Sequence, residues 1–146
     1  MDCVFASEPY GVRLASELGA DFLPVDVARA RVPISGTEIR KDPLRHWDFL
    51  PDPVRPHYLK RVCIFGPEST GKSTLAADLA RHYGTLYVPE YARPLLDPKG
   101  GVCAASDIPR IALGQRASED ALARQARKLL FCDTDALTTT IWSDWL

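Results

Sequence analysis

Apolar residues fall along the chain in short runs, separated by stretches where they recur every three or four positions. The first run, Cys3-Val4-Phe5-Ala6, reads as a strand. Val12, Leu14, Ala15 and Leu18 then keep helical spacing up to Gly19, which supplies a stop. At the start of that helix Ser7 offers a cap, Glu8 suits the first turn and Pro9 is tolerated there. Residues 21–26 form a second strand, in which Pro24 marks an edge or an irregular end. Strand, helix and strand in this order predict a parallel pairing. Ser35 stands three residues before Glu38, the capping-box arrangement, so a short helix begins there and stops before Pro43.

Pro43, Pro51, Pro53 and Pro56 are interleaved with Trp47, Phe49 and Tyr58, a composition too aromatic for a free linker. A packed connector over residues 51–59 is expected, joining a first domain over 1–50 to a second over 60–146. In the second, residues 61–65 read as a short buried strand rich in β-branched and aromatic side chains. Leu75, Ala76, Leu79, Ala80 and Tyr83 share one helix face, and Gly84 ends it. Residues 85–88 make another strand, and 97–105, with Pro98, Gly100 and Gly101, a loop. Ser106 is placed to cap a long helix over 107–128, with Pro109 in its first turn. Ile111, Leu122, Ala126 and Leu129 give that helix an apolar face, with Gln115 on or near it. Residues 129–132 form a further buried strand, and 138–146 begin an amphipathic segment. The chain is therefore expected to be α/β, with parallel sheets.

Composition narrows the function classes. The 146 residues are 46% hydrophobic and 25% charged, with a formal net charge of −1, which gives no footprint for nucleic acid or an anionic membrane. No apolar stretch approaches the length of a bilayer span, and residues 1–20 show no basic-then-apolar signal. Cys3, Cys63, Cys103 and Cys132 lack metal-site spacing and three lie in expected strands, so buried reduced thiols and a cytoplasmic location are expected.

The candidate chemistry centres on Gly66-Pro67-Glu68-Ser69-Thr70-Gly71-Lys72-Ser73-Thr74. This fits G-x-x-x-x-G-K-[ST], a phosphate-binding loop, and it sits between a strand and a helix as that motif requires. Its glycines let the backbone wrap a phosphate, and its amides point inward at the positive end of the following helix. Lys72 would reach the β- and γ-phosphates of ATP and the Ser73 hydroxyl would hold Mg²⁺. Asp133 and Asp135 follow a buried strand, where magnesium needs carboxylates opposite such a loop, although a plain strand-ending turn is the alternative. Asp133 is favoured for magnesium-water or general-base work, with Asp135 in support. Glu90 and Arg93 follow the carboxyl end of another strand, at the edge of the site, unless they form only a solvated surface pair.

Two segments carry a resemblance. Ile34-Ser35-Gly36-Thr37-Glu38-Ile39-Arg40 and Ser7-Glu8-Pro9-Tyr10-Gly11 resemble the I-S-x-T-x-I-R and S-E-x-Y-G segments of nicotinamide-mononucleotide adenylyltransferases. Residues 62–146 resemble the ribosylnicotinamide kinase domain of NadR-type bifunctional enzymes, through G-P-E-S-T-G-K-S-T, P-E-Y-A-R, I-A-L-G-Q and C-D-T-D. The resemblance implies a remnant of a Rossmann-like nucleotidyltransferase followed by a truncated P-loop kinase, acting in NAD biosynthesis. It implies that Ser35, Thr37 and Arg40 descend from an ATP-phosphate site. The family's H-x-G-H motif is absent, because His46, His57 and His82 are the histidines and none lies in such a motif. It further implies a kinase that uses ATP and Mg²⁺ to phosphorylate nicotinamide riboside to nicotinamide mononucleotide. In that kinase Lys72 and Asp133 would be catalytic, Ser73, Asp133 and Asp135 would serve the metal, and Glu90, Tyr91, Arg93 and Gln115 would line the nucleoside pocket. Pro94 departs from the family pattern, and the lid of a complete kinase is missing, so weak turnover is expected. A kinase for another small nucleoside or alcohol, and an ATP-binding regulatory or inactive module, remain the competing readings.

Overall fold

The computed structural model describes residues 2–143 and divides between Asp42 and Pro43 into two compact units. In the first unit, β1 (Cys3–Ala6) and β2 (Asp21–Pro24) pair in parallel, with Cys3 opposite Asp21 and Ala6 opposite Pro24. The crossover between them is α1 (Tyr10–Leu18), closed by Gly19 in the left-handed conformation at φ 62°. Gly11 lies where helix meets strands. A Cβ there would stand 2.5 Å from Phe22 Cε2 and 2.6 Å from Ala6 Cβ, so this close crossing requires glycine. Ser7 does not cap α1. The helix begins after Pro9, whose φ of −58° already suits a first turn, and Ser7 lies too far upstream to reach its free amides. The capping box forms as expected: Ser35 accepts from the Glu38 amide and α2 spans Gly36–Lys41.

The second unit opens at Pro43 with a proline-rich stretch in which Trp47 is only 2% exposed, Leu50 and Leu59 are buried, and Asp48 accepts from Arg127 at 3.1 Å. After the short α3 (Arg55–Tyr58) comes a parallel sheet of β3 (Lys60–Ile64), β4 (Leu86–Val88) and β5 (Leu129–Asp133), in the order β3-β5-β4. β5 is central, and Leu130, Phe131, Cys132 and Asp133 are all buried. Register places Cys63 opposite Cys132 and Ile64 opposite Asp133, so β3 and β5 end side by side. α4 (Lys72–His82) links β3 to β4, while α5 (Ala92–Leu96) and α6 (Ile108–Ala123) lead back to β5. α7 (Ala136–Ser143) packs on α6.

Three expectations change here. β3 is an edge among the described strands rather than a buried one, with Arg61 and Val62 exposed and Cys63 and Ile64 half-buried. Leu75 and Tyr83 of the expected apolar face are 50% and 55% exposed, because the small Ala76 and Ala80 are what α4 lays against the sheet. α6 is shorter than periodicity suggested, and Ser106 falls in a 3-10 turn over Ala105–Asp107 instead of capping it. There the Asp107 carboxylate takes the Ala104 amide at 3.1 Å and the Lys99 ammonium at 2.6 Å. Among the described residues no helix is long and apolar enough to cross a membrane. Residues 144–146 of the expected amphipathic segment lie outside the described residues.

Candidate functional site

Between the end of β3 and the first turn of α4 the backbone takes positive φ at Gly66 (152°), Ser69 (58°) and Gly71 (85°). Alternation of this kind turns successive amides toward one side and forms an anion nest. Ser69 does so without being glycine, which costs about 1 kcal/mol of backbone strain. The Pro67 carbonyl gathers the loop, accepting from Thr70 Oγ1 at 2.9 Å and from Lys72 Nζ at 2.6 Å. Lys72, Ser73 and Thr74 begin α4, so its free amides and positive end face the loop.

The loop opens into a cavity of about 920 Å³. Gly66 and residues 68–74 form one side, with Glu90 and Arg93 on another. Arg93 donates to Glu90 Oε2 at 3.1 Å, so the two carry opposite charge into one wall. The apolar wall comes from Leu96, Cys103, Ile108 and Ile111, none of which the sequence reading assigned to a site. The three-residue step from Ile108 to Ile111 was the available signal, since it puts both on one face at the start of α6. Ala92, Asp97, Gly101, Thr134, Thr138 and Thr139 complete the lining.

The two aspartates at the end of β5 differ in their surroundings. Asp133 is 3% exposed and its Oδ1 is buried without a hydrogen-bond partner among the described residues. An orphaned carboxylate oxygen at a strand end beside a phosphate loop fits a hydrated Mg²⁺, with Ser73 as the other protein oxygen. Asp135 is bonded within the fold instead. Its Oδ1 accepts from the Thr138 amide at 2.7 Å and the Thr138 hydroxyl at 2.8 Å, capping α7. Burial works to raise the Asp135 carboxyl, but those bonds and the Cys63 thiol outweigh it and hold it below its ordinary 3.8. Behind them Glu119 is buried and pairs with Arg61 at 2.8 Å, and burial still pushes its carboxyl up. Burial, then the neighbouring carboxylates, pushes the Cys63 thiol up to about 11 and the Cys132 thiol to about 12. Those thiols are packing groups, with almost no thiolate at neutral pH.

Two residues expected in the nucleoside pocket lie outside its lining. The Tyr91 ring rests on α6 at Gly114, where a Cβ would approach its Cε1 to 2.2 Å. Gln115, 1% exposed, spends its amide on backbone: Oε1 accepts from the Tyr91 N–H at 2.9 Å and Nε2 donates to the Thr134 carbonyl at 3.3 Å.

In the first unit the residues read as an ATP-phosphate remnant are bonded among themselves. The Ser35 hydroxyl donates to Glu38 Oε2 at 2.6 Å, and Arg40 donates to Thr37 Oγ1 at 3.2 Å. Arg29, which the sequence reading missed, joins the two resembling segments by donating to Glu8 at 2.9 Å and to the Ile34 carbonyl at 2.9 Å. The Asp26 carboxylate holds the same loop by accepting the amides of Ala30, Arg31 and Val32.

This geometry agrees with what the chain is similar to. The sequence profile of the AAA domain matches residues 61–146. The trifunctional NAD biosynthesis/regulator protein NadR of Salmonella typhimurium (strain LT2) is 40% identical over 126 residues, covering 84% of this chain and 31% of that protein. Its namesake from Escherichia coli (strain K12) is 37% identical over 143 residues, covering 94% of this chain and 35% of that one. The chain thus spans about a third of the length of these curated relatives. A crystal structure of NadR protein in complex with NAD and AMP-PNP superposes with a TM-score of 0.78 at 26% identity, covering 96% of this chain and 42% of that one. A second, of NadR protein in complex with NR, gives the same TM-score and identity over 98% of this chain and 42% of that one. In sequence and fold the chain is similar to NadR proteins, and through residues 61–146 it belongs to the AAA-domain family.

Proposed function

We propose that the second unit transfers the γ-phosphoryl group of ATP to the 5′-hydroxyl of nicotinamide riboside, forming nicotinamide mononucleotide for NAD biosynthesis in the cytoplasm. The observation that carries this reading is the cavity in which a phosphate nest and the Glu90–Arg93 wall meet an apolar surface, with the orphaned Asp133 carboxylate buried outside its lining and followed by the lining residue Thr134. The loop amides and the Lys72 ammonium hold the β- and γ-phosphates. Ser73 and Asp133 hold Mg²⁺, which neutralises charge on the phosphate oxygens when bound. Asp133 would help hold the hydrated metal or take the proton that the acceptor hydroxyl gives up. Glu90 accepts from ribose hydroxyls, and Leu96, Ile108 and Ile111 cover the flat base and exclude water. The bond formed joins the acceptor oxygen to phosphorus, and the bond broken releases ADP. A neighbour that carries AMP-PNP and another that carries NR support the pairing of donor and acceptor.

The test is to incubate the protein with Mg·ATP and a panel of nucleosides, following ADP and the phosphorylated product by mass spectrometry. Nicotinamide riboside is expected to give equal amounts of ADP and mononucleotide. Lys72→Ala should lower kcat/KM by about 10³-fold or more, by removing a charge from the transferring group. Nucleotide binding without riboside-dependent ADP would instead favour a regulatory module.

A further inference from the structure

We propose that Gly114 and Gln115 of α6 form a seat for Tyr91 that keeps the acceptor side of the cavity in register with its phosphate side. They are positioning residues, since neither lines the cavity. This deepens the kinase reading given above and rests on it for its catalytic consequence.

The argument begins where the sheet ends. β3, β4 and β5 are held together by ladder bonds only as far as Ile64, Val88 and Asp133. Apart from Asp133, the last paired residue of β5, every group assigned to chemistry lies beyond those points, where parallel pairing no longer fixes one segment against another. One polar line runs from the end of β3 through to the end of β4 across this gap. Thr134 donates its amide to the Ile64 carbonyl at 3.1 Å, joining the turn after β5 to the end of the phosphate-loop strand. Its own carbonyl accepts from Gln115 Nε2, and Gln115 Oε1 accepts from the Tyr91 amide. The three strand ends are therefore stitched in the order β3, β5, β4 through one buried side chain.

The chemistry of that side chain is specific. It must accept on one arm and donate on the other, which a primary amide does and a carboxylate or thioether does not. The neighbouring position is equally constrained. With a Cβ on Gly114 lying 2.2–2.5 Å from three atoms of the Tyr91 ring, the ring can lie on the helix only where there is no side chain. Ring and amide of Tyr91 are thus both held, and Tyr91 stands between Glu90 and Arg93, which do face the cavity. Thr134, at the other end of the line, lines the cavity and follows Asp133. A shift of about 1 Å between these arms is enough to cost on the order of 10²-fold in transfer.

The experiment compares the protein with Gln115→Met and Gln115→Glu by amide hydrogen exchange, AMP-PNP binding and riboside kinetics. Gln115→Met keeps bulk but loses both bonds, and Gln115→Glu keeps only the acceptor for Tyr91. In the unsubstituted protein the Tyr91 amide should exchange about 10²-fold or more slowly than a free peptide. Free exchange there overturns the proposal without any variant. Gln115→Met should release that amide and lower riboside kcat/KM about 10-fold or more, with AMP-PNP affinity changed less than about 2-fold. Gln115→Glu should recover protection at Tyr91 but not the full rate. Equal losses of AMP-PNP and riboside use, or an unchanged Tyr91 amide in Gln115→Met, would overturn it. If the unsubstituted protein phosphorylates no riboside, the kinase reading fails, and the exchange measurements still decide the seat.

Discussion

Asp133 and Asp135 stand two residues apart, yet one carboxylate keeps a buried oxygen without a hydrogen bond while the other accepts two bonds from Thr138. The first condition is costly in a fold and sensible only where a ligand later supplies the missing partner. This argues a prediction in which stability and activity move in opposite directions. Asp133→Ala removes the orphaned oxygen, so in magnesium-free buffer the melting temperature should rise by about 2–4 °C, the scale of one relieved buried acceptor. Riboside phosphorylation should fall by about 10²-fold or more. Thermal unfolding and initial rates on the same preparation decide it. A fall in both would make Asp133 a structural residue whose partner has been misjudged.

At the scale of elements, α7 depends on its cap. Asp135 accepts two bonds from Thr138, and its backbone carbonyl takes the Thr139 hydroxyl at 3.2 Å. Because the folded carboxyl is held below 3.8, it contributes stability at pH values above that figure and loses it as pH falls through the folded value. Asp135→Ala should thus cost about 1 kcal/mol near neutrality, and its difference from the unsubstituted protein should narrow below about pH 4. Urea unfolding at several pH values measures this, and a gap that widens in acid would contradict it. The cap illustrates what the sequence could and could not reveal. Strand–loop–helix order, the capping box at Ser35 and the stops at Gly19 and Gly84 were legible, because each is a local rule acting within a few residues. The exposure of β3, the burial of Gln115 and the contact of Tyr91 with α6 were not, since they depend on which strands adjoin and which helix faces which turn. Spacing put Gln115 on the inner face of α6 but carried no record of the two backbone groups waiting there.

For the whole molecule, what matters is where each chemistry is housed. Every residue of the proposed kinase cavity lies between Gly66 and Thr139, inside the second unit. The residues resembling an adenylyltransferase phosphate site all lie in the first, where Ser35 is bonded to Glu38 and Arg40 to Thr37. If the two chemistries are separable, damage to one set should leave the other untouched. Arg40→Ala removes the guanidinium that bonds Thr37 and lies beside Gly36, an exposed interaction worth less than about 1 kcal/mol. Folding of the first unit should therefore survive it. Riboside kcat and KM should both stay within about 2-fold, because Arg40 belongs to the first unit and every residue that lines the cavity to the second. Lys72→Ala provides the contrasting loss in the same assay. A drop of 10-fold or more in riboside phosphorylation on Arg40→Ala, at unchanged melting temperature, would mean that a guanidinium of the first unit serves the transferred phosphoryl group, and the second unit could no longer be credited with the reaction alone.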